Sequence, residues 1–411
     1  MTKLITSHWT LAQALKINPN DPTVTTPPIP YNFPVMDSKH RIWDTMQLTD
    51  FNNRVALING WQVIFCLTVD YDTDTETRNI ADVWNHRNSA AYIAIYISKD
   101  GGAWQYKGRL LEKSADIRPY EWSGSMYLEG ENGEVLVVYT SVDDIRQVPS
   151  FSRGRIHISD DGVLTKTGFT KTTECLHPDG YNEATVSQNQ FAGFRDMKLF
   201  YDKNRRRMFA TVEIDGAWDR GAKEVSSENL GYLPPQEMGT YTGNKFMTGG
   251  IGLYEITDLE KMTIKHLGVL LSAFGVCDQT ERPMLSYNED TGLYYLYTIT
   301  HNDKFAPGVK GVDGLYGFVS DDLFAGTFKP MNGGGLMAGC PVSQPKAWYS
   351  GFPMLGDRNF ISGFIDTIPN PDDASAFRIG GTLSPTWEMV IDGSDSYLTN
   401  TLGYGEMPVI S

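Results

Sequence analysis

Apolar and polar positions along this chain alternate on a short period far more often than on a helical one. Val63-Ile-Phe-Cys-Leu-Thr-Val69, Ala91-Tyr-Ile-Ala-Ile-Tyr-Ile97, Val135-Leu-Val-Val-Tyr-Thr140 and Leu293-Tyr-Tyr-Leu-Tyr-Thr-Ile299 are brief β-branched and aromatic runs, each closed by turn formers. That composition fits a pleated, buried surface, so each run predicts a strand. Helical spacing of apolar residues is scarce, with Thr10 to Leu15 as a candidate. Between Asn18 and Pro34, the residues Pro22, Pro27, Pro28, Pro30 and Pro34 fix φ and remove backbone donors. They forbid a regular helix and predict an extended N-terminal arm over residues 1–35.

Strands that do not alternate with long helices argue against a parallel α/β fold and for a mostly antiparallel all-β one. A weak internal echo adds to this. Apolar strands run into Ser98-Lys-Asp100, Ser159-Asp-Asp161, Thr257-Asp258 and Ser320-Asp-Asp322, and a second strand-like segment follows each time. Ser and Asp cap turns in any β protein. Four strand–turn–strand units over this length nevertheless suit a propeller, whose blades are four-stranded sheets around an axis. Five blades of about 80 residues would consume the 411 residues.

Length alone gives a prior of two to three domains, but all-β chains often run this long as one, and 1–411 is expected to be a single domain. The charge narrows the partners. With 35 Lys+Arg against 50 Asp+Glu the formal charge is −15, which repels a phosphate backbone or an anionic membrane. The basic run Arg205-Arg206-Arg207 follows Asp202 in a turn-like stretch and reads as a solvated loop. No apolar stretch approaches the roughly 18 residues that span a bilayer, and the first residues lack the apolar core of a secretory signal. Nucleic acid and membrane are therefore not expected as partners. Cys66, Cys175, Cys277 and Cys340 form no CxxC pair and read as core thiols.

Familiar chemical motifs are missing. There is no GxxxxGK[ST] loop, HExxH helix or GxSxG elbow, and Gly333-Gly-Gly335 lacks dinucleotide-binding spacing. Asp70, Asp72, Asp74 and Glu76 open like a calcium loop, but Thr75 replaces its glycine and Ala81 its closing glutamate, which favours a solvated acidic loop. His8, His40, His86, His157, His177, His266 and His301 are spread singly, so no metal cluster is expected. His301 stands apart because it closes a strand before a Gly/Pro loop, where side chains often line a site.

Three carboxylates have suggestive neighbours: Asp44 follows Trp43, Asp196 follows Arg195, and Glu281 precedes Arg282. Their spacing places them on different blades, from which they could converge on one axis. Glycoside cleavage with retention needs a nucleophilic carboxylate and a carboxylic acid about 5 to 5.5 Å apart. Arginine can hold such an acid and tryptophan can wall a sugar face. Neighbouring Arg–Asp pairs are also common at surfaces, where they are worth little.

The order of segments settles the weighting. Trp43-Asp44, Gly60-Trp61, Glu121-Trp-Ser-Gly124, Phe194-Arg-Asp196, Asp278-Gln-Thr-Glu-Arg-Pro283, Thr298-Ile-Thr-His301, Tyr316-Gly-Phe-Val-Ser320 and Phe364-Ile-Asp366 are collinear with the levansucrase and β-fructofuranosidase family, glycoside hydrolase family 68. The chain resembles that family from Trp9 to Tyr404, and Gln279-Thr280 with His301 resemble its Gram-negative branch. The resemblance implies a five-bladed β-propeller with a funnel-shaped acidic pocket on its axis. It implies Asp44 as nucleophile, Glu281 as general acid/base and Asp196 as the stabiliser that grips fructosyl hydroxyls. Trp43 and Trp122 would wall the fructosyl subsite and Ser123 would orient Asp44. Arg195, Arg282, His301 and Gln279 would face the glucosyl or acceptor side, with Glu213 behind them.

The implied activity is retaining cleavage of sucrose with fructosyl transfer to sucrose or a growing β-2,6-fructan, through a covalent fructosyl-enzyme. Two alternatives are a hydrolytic β-fructofuranosidase of the invertase type and a catalytically silent sugar-binding propeller. The expected partners are sucrose and fructooligosaccharide or fructan acceptors. No cofactor is expected, and a structural cation would be incidental to this mechanism. The chain is expected to be a monomer, extracellular or periplasmic without a recognisable signal peptide. Departures from the family pattern fall at Gln47, Met197 and Met284 and around Glu213 (Val212-Glu-Ile-Asp215), and they bear on the pocket rim and product size.

Overall fold

Every residue from Trp61 to Val69 is buried, which is why that run is continuously apolar instead of alternating. Val63, Phe65 and Leu67 share a core with Val135, Val137 and Ile156 on one side. Ile64 and Cys66 pack with Phe352, Met354 and Phe360 on the other. A sheet sandwiched between two others explains the pattern, and the same arrangement recurs along the chain. The computed structural model describes residues 3–71, 80–113, 117–188, 192–216, 247–373 and 376–408. Among them α-helix is confined to Leu11–Ala14 and Ile80–Ala90, and the rest is strand, turn and short 3-10 helix. None of these helices is long and apolar enough to cross a membrane. Of the acidic run, Asp72, Asp74 and Glu76 lie outside the described residues.

The strands form successive antiparallel units. The first is His40–Thr49, Trp61–Asp70, Tyr92–Ser98 and Gln105–Arg109. The second is Tyr120–Leu128, Glu134–Val142, Gln147–Ile158 and Leu164–Thr167. The third is Phe194–Asp202, Arg207–Asp215, Gly249–Asp258 and Thr263–Ser272. The fourth is Glu281–Asn288, Leu293–Thr300 and Gly314–Ser320, with Lys329–Pro330 and Leu336–Gly339 on its last strand. The fifth is Trp348–Met354, Asn359–Pro369, Pro385–Asp392 and Asp395–Tyr404, with Phe377–Leu383 also on its second strand.

The Ser/Asp echo marks one position in this pattern, the turn after the third strand. Ser98 Oγ accepts from Gly101 N (2.9 Å), Ser159 Oγ from Val163 N (3.0 Å) and Ser320 Oγ from Asp322 N (3.1 Å), while Asp258 Oδ1 accepts from Lys261 N (3.0 Å). The Arg205-Arg206-Arg207 run turns between the first two strands of the third unit, with Arg205 paired to Asp202 and Asp322 and Arg207 to Glu255. Cys66, Cys277 and Cys340 are buried thiols and Cys175 is half-buried.

The first strands of the first four units lie side by side in chain order; the first strand of the fifth unit packs on the second and third strands of the fourth and returns to the first strand of the first, which closes a ring. Gly101 sits at this seam: Met407 N donates to Gly101 O (2.6 Å), and Trp104 Nε1 donates to Gly405 O (2.7 Å). At φ +78° a Cβ on Gly101 would meet Met407 O at 1.9 Å, so the seam requires glycine there. The N-terminal residues pack along the third, fourth and fifth units. Ser7–His8 pairs in parallel with Thr263–Ser272. Trp9 is buried between Phe305 and Phe318, with Nε1 on Gly334 O (3.1 Å). Thr10 caps the helical turn through a capping box with Gln13. No helix forms from Asn18 to Pro34, and Thr25 bridges to Gly339 in the fourth unit.

Candidate active site

The first strand of every unit carries a register shift at a corresponding place. It falls between Trp43 and Met46, Trp122 and Gly124, Arg195 and Lys198, Glu281 and Met284, and Tyr349 and Phe352. A bulge bends its strand and re-aims a side chain. Four of the five hold a non-glycine residue at positive φ: Asp44 (43°), Asp196 (60°), Arg282 (52°) and Ser350 (56°). Such conformations cost about 1–3 kcal/mol each and persist where surrounding structure enforces them, typically at active sites. Three of these four carry charge, and the fourth is a hydroxyl.

These bulges open onto a cavity of about 400 Å³, a volume suited to a small ligand. Trp43, Asp44, Trp122, Ser123, Arg195, Asp196, Gln279, Glu281 and His301 all line it, so nine of the residues expected from sequence meet in one place. Arg195 links two acids: its Nε pairs with Glu213 Oε2 (2.7 Å), and its Nη2 donates to Glu213 Oε1 (3.0 Å) and to Glu281 Oε1 (2.8 Å); a third, Asp196, is its chain neighbour. Glu213 is thus buried behind Arg195. Gln279 Oε1 is buried without a hydrogen-bond partner among the described residues.

Two expectations are corrected. Ser123 does not orient Asp44; its hydroxyl donates to Asp196 Oδ1 at 2.7 Å, because the second and third units are ring neighbours and Ser123 faces the third. Ser350, from the fifth unit on the other side of the first, is the hydroxyl that bonds Asp44. Arg282 does not face the acceptor side either. Its bulge turns it beneath the carboxylates, where Nη2 donates to Thr45 O (2.6 Å), Nη1 bonds Ser350, and the backbone N–H donates to Asp196 Oδ2 (3.2 Å). There it braces Asp44 and Asp196 from below.

Residues that the sequence reading passed over complete the wall. Tyr349 donates its hydroxyl to Glu281 Oε2 and stacks flat on His301, with ring centroids 3.6 Å apart. Buried Asp313 bonds His301 Nδ1 (2.7 Å) and fixes the ring. Arg87, on the helix Ile80–Ala90, lies over Trp43 (4.5 Å) and 3.7 Å from buried Asp366. Asp303, Lys304 and Lys346 stand at the same cavity.

Burial pushes the Asp44 carboxyl up, aided by the charge of Glu281, against the opposing pull of Arg282, Ser350 and Arg87. Burial likewise lifts Asp196 to about 6, with Arg195 and Ser123 resisting. Glu213 is pushed well up by burial and the surrounding carboxylates. Burial also raises Glu281, but Arg195, His301 and Tyr349 outweigh it and hold it below the usual range. Glu281 is thus favoured as carboxylate, the reverse of what an acid beside an ionised nucleophile needs. Burial lowers His301, yet Asp313, Glu281 and Asp366 carry it above its ordinary value. Among the described residues the His/Asp/Glu grouping compact enough for a metal ion, Asp179, Glu183 and His266, lies away from this cavity.

Acidic side chains gathered at bulges over a sugar-sized, tryptophan-walled cavity define a glycoside-cleaving enzyme on a β-propeller scaffold. The chain belongs to glycoside hydrolase family 68, Levansucrase/Invertase, whose profile matches residues 2–408. It is 38% identical to the levansucrase of Zymomonas mobilis over 98% of this chain and 92% of that one. The crystal structure of levansucrase from Gluconacetobacter diazotrophicus superposes with a TM-score of 0.84 at 30% identity, covering 99% of this chain and 94% of that one. The catalytic domain of Microbacterium saccharophilum β-fructofuranosidase gives 0.84 at 28% identity, with coverage of 99% and 94%.

Proposed function

We propose that this protein cleaves sucrose with retention and passes the fructosyl group to sucrose or a growing β-2,6-fructan, with water as a lesser acceptor. The five units are read as blades of one propeller spanning 1–411, around a funnel-shaped acidic pocket. The observation that carries the reading is the meeting of Asp44, Asp196 and Glu281 at one cavity.

In the first step the Glu281 carboxyl gives its proton to the glycosidic oxygen as an Asp44 oxygen attacks the fructosyl anomeric carbon. The carbon–oxygen bond to glucose breaks and glucose leaves. Glu281, now a carboxylate, takes a proton from the acceptor hydroxyl, whose oxygen attacks the same carbon and releases Asp44. Asp196, held by Ser123 Oγ and the Arg282 amide, grips fructosyl hydroxyls. The acid role requires substrate to raise Glu281. A sugar that fills the cavity deepens its burial, the largest influence on it, and a sugar hydroxyl that competes for Tyr349 removes a stabilising donor. Positive charge developing at the anomeric carbon favours Asp44 as carboxylate.

Levansucrase relatives favour transfer over the invertase-type reading, and a silent sugar-binding propeller does not account for three carboxylates held in place. Action on sucrose fits an extracellular or periplasmic enzyme, and a monomer is the state proposed for it. The test is incubation with sucrose, quantifying glucose and free fructose separately, with Asp44→Ala as control. Glucose in excess of fructose is expected, and none from the variant. Equal amounts would make the enzyme a hydrolase, and no release by the wild type would leave only the binding reading.

A further inference from the structure

His266 lies on the strand Thr263–Ser272 and pairs across the sheet with Tyr254, whose ring meets it edge-on at 5.0 Å. Its Nδ1 is shielded from solvent and lacks a hydrogen bond of acceptable geometry. That nitrogen faces two carboxylate oxygens, Glu183 Oε2 at 3.5 Å and Asp179 Oδ2 at 3.7 Å. Glu183 is completely buried, a costly place for a carboxylate without a cation. Its other oxygen accepts from Tyr254 OH at 2.7 Å.

Both acids are oriented before any ligand arrives. Asp179 Oδ1 accepts from the backbone N–H groups of Tyr181 (2.7 Å) and Asn182 (2.7 Å), Asn182 Nδ2 donates to Oδ2 (2.7 Å), and Asp179 N donates to Glu183 Oε2 (3.1 Å). Zinc binds imidazole nitrogen and carboxylate oxygen at about 2.0–2.2 Å, which sets the edges of its tetrahedron at about 3.3–3.6 Å. The two observed separations match those edges to within a few tenths of an ångström. One neutral imidazole with two carboxylates, each carboxylate held by outer donors, is also the ligand chemistry that suits such a cation.

We propose that Asp179, Glu183 and His266 form a binding site for one zinc-like divalent cation, apart from the sucrose-cleaving cavity, with a fourth position open on the exposed Asp179 side. The cation staples the Asp179–Thr185 turn to the third unit. That turn already reaches the strand that holds Glu213, through the Glu183–Gly216 bridge and the bond from Ala184 N to Asp215 O (2.8 Å). Metal occupancy therefore stiffens the backing of Arg195 without touching substrate.

The test is isothermal titration of chelator-stripped full-length protein with zinc chloride, beside His266→Ala and Asp179→Asn. Asp179 and His266 are partly exposed, so both variants should fold, and circular dichroism checks that they do. The expected result is one saturable equivalent in the wild type, lost in His266→Ala and at least about 10-fold weaker in Asp179→Asn. A wild type that takes up no equivalent would overturn the proposal and leave His266 as an ion-paired imidazole. So would binding of equal affinity in His266→Ala, which would place the ion elsewhere, for instance at the half-buried Cys175. Should His266→Ala misfold, Asp179→Asn alone decides, and unchanged affinity there sinks the site.

Discussion

Replacing Tyr349 with Phe deletes one hydroxyl, the donor to Glu281 Oε2, and leaves the ring that stacks on His301. That bond stabilises the Glu281 carboxylate, so its loss raises the Glu281 pKa. A hydrogen bond to a charged group contributes about 1.5–3 kcal/mol, and one pKa unit corresponds to about 1.4 kcal/mol. The bond is therefore worth about 1–2 units, and water entering the vacated space brings the expected shift to about 1 unit. Sucrose cleavage needs Glu281 protonated, so the alkaline limb of kcat/KM, which reports the acid of the free enzyme, should move to higher pH by about that amount. Initial rates of glucose release across the pH range measure it, and the limb position is informative even if the height of the profile falls. An unmoved limb, or one displaced toward acid, would refute either the role of Tyr349 or the assignment of Glu281 as the acid.

Ser123→Ala frees Asp196 Oδ1 and should lower kcat/KM for sucrose by about 10- to 100-fold, the equivalent of one charged hydrogen bond, with Tm little changed; a loss confined to Tm would contradict the positioning role. Trp9→Ala removes a fully buried ring and its bond to Gly334, and urea unfolding should show a loss of about 3–5 kcal/mol. Stability should depend on pH in two opposite senses. Asp196, lifted to about 6, and Asp44 and Glu213, also raised, bind protons more readily when folded, so stability should rise as pH falls from about 7 toward 4. Asp143 is held at about 2 against the pull of burial by its bonds to Ile145, Arg146 and Arg118, and Asp100 at about 2 by bonds to Ala103, Gly102 and Ser98; both favour the folded state above their unfolded value near 3.9 and lose that contribution as pH falls through 2. Melting temperatures should therefore peak between about pH 4 and 6, and a monotonic profile would count against these shifts.

Strands were legible because β-branched and aromatic runs have no competing helical period, and Ser98, Ser159, Thr257–Asp258 and Ser320 marked the same turn in four units. The carboxylates were legible through collinear motifs. Orientation was not. Side-chain parity along a strand fails at a bulge, and Ser123 and Arg282, the two residues whose contacts differed from expectation, both sit at one. Met197 and Met284, which depart from the family pattern, are buried in apolar packing and leave the carboxylates' polar contacts intact. The helix Ile80–Ala90 has little apolar stripe to betray it, so Arg87 could not be placed over Trp43. His266 looked solitary because Asp179 and Glu183, which meet it, lie on a loop distant in sequence from its outer strand.

The closed ring also imposes a timetable. Asp44 is among the first functional residues to be synthesised, but its hydroxyl partner Ser350 and the Glu281 partner Tyr349 belong to the last unit, and the seam at Gly101 waits for Gly405 and Met407. A nascent chain that has displayed most of its acids still lacks the groups that set their protonation. Competence to cleave sugar thus waits for the fifth unit, and a chain cut short before it lacks both partners.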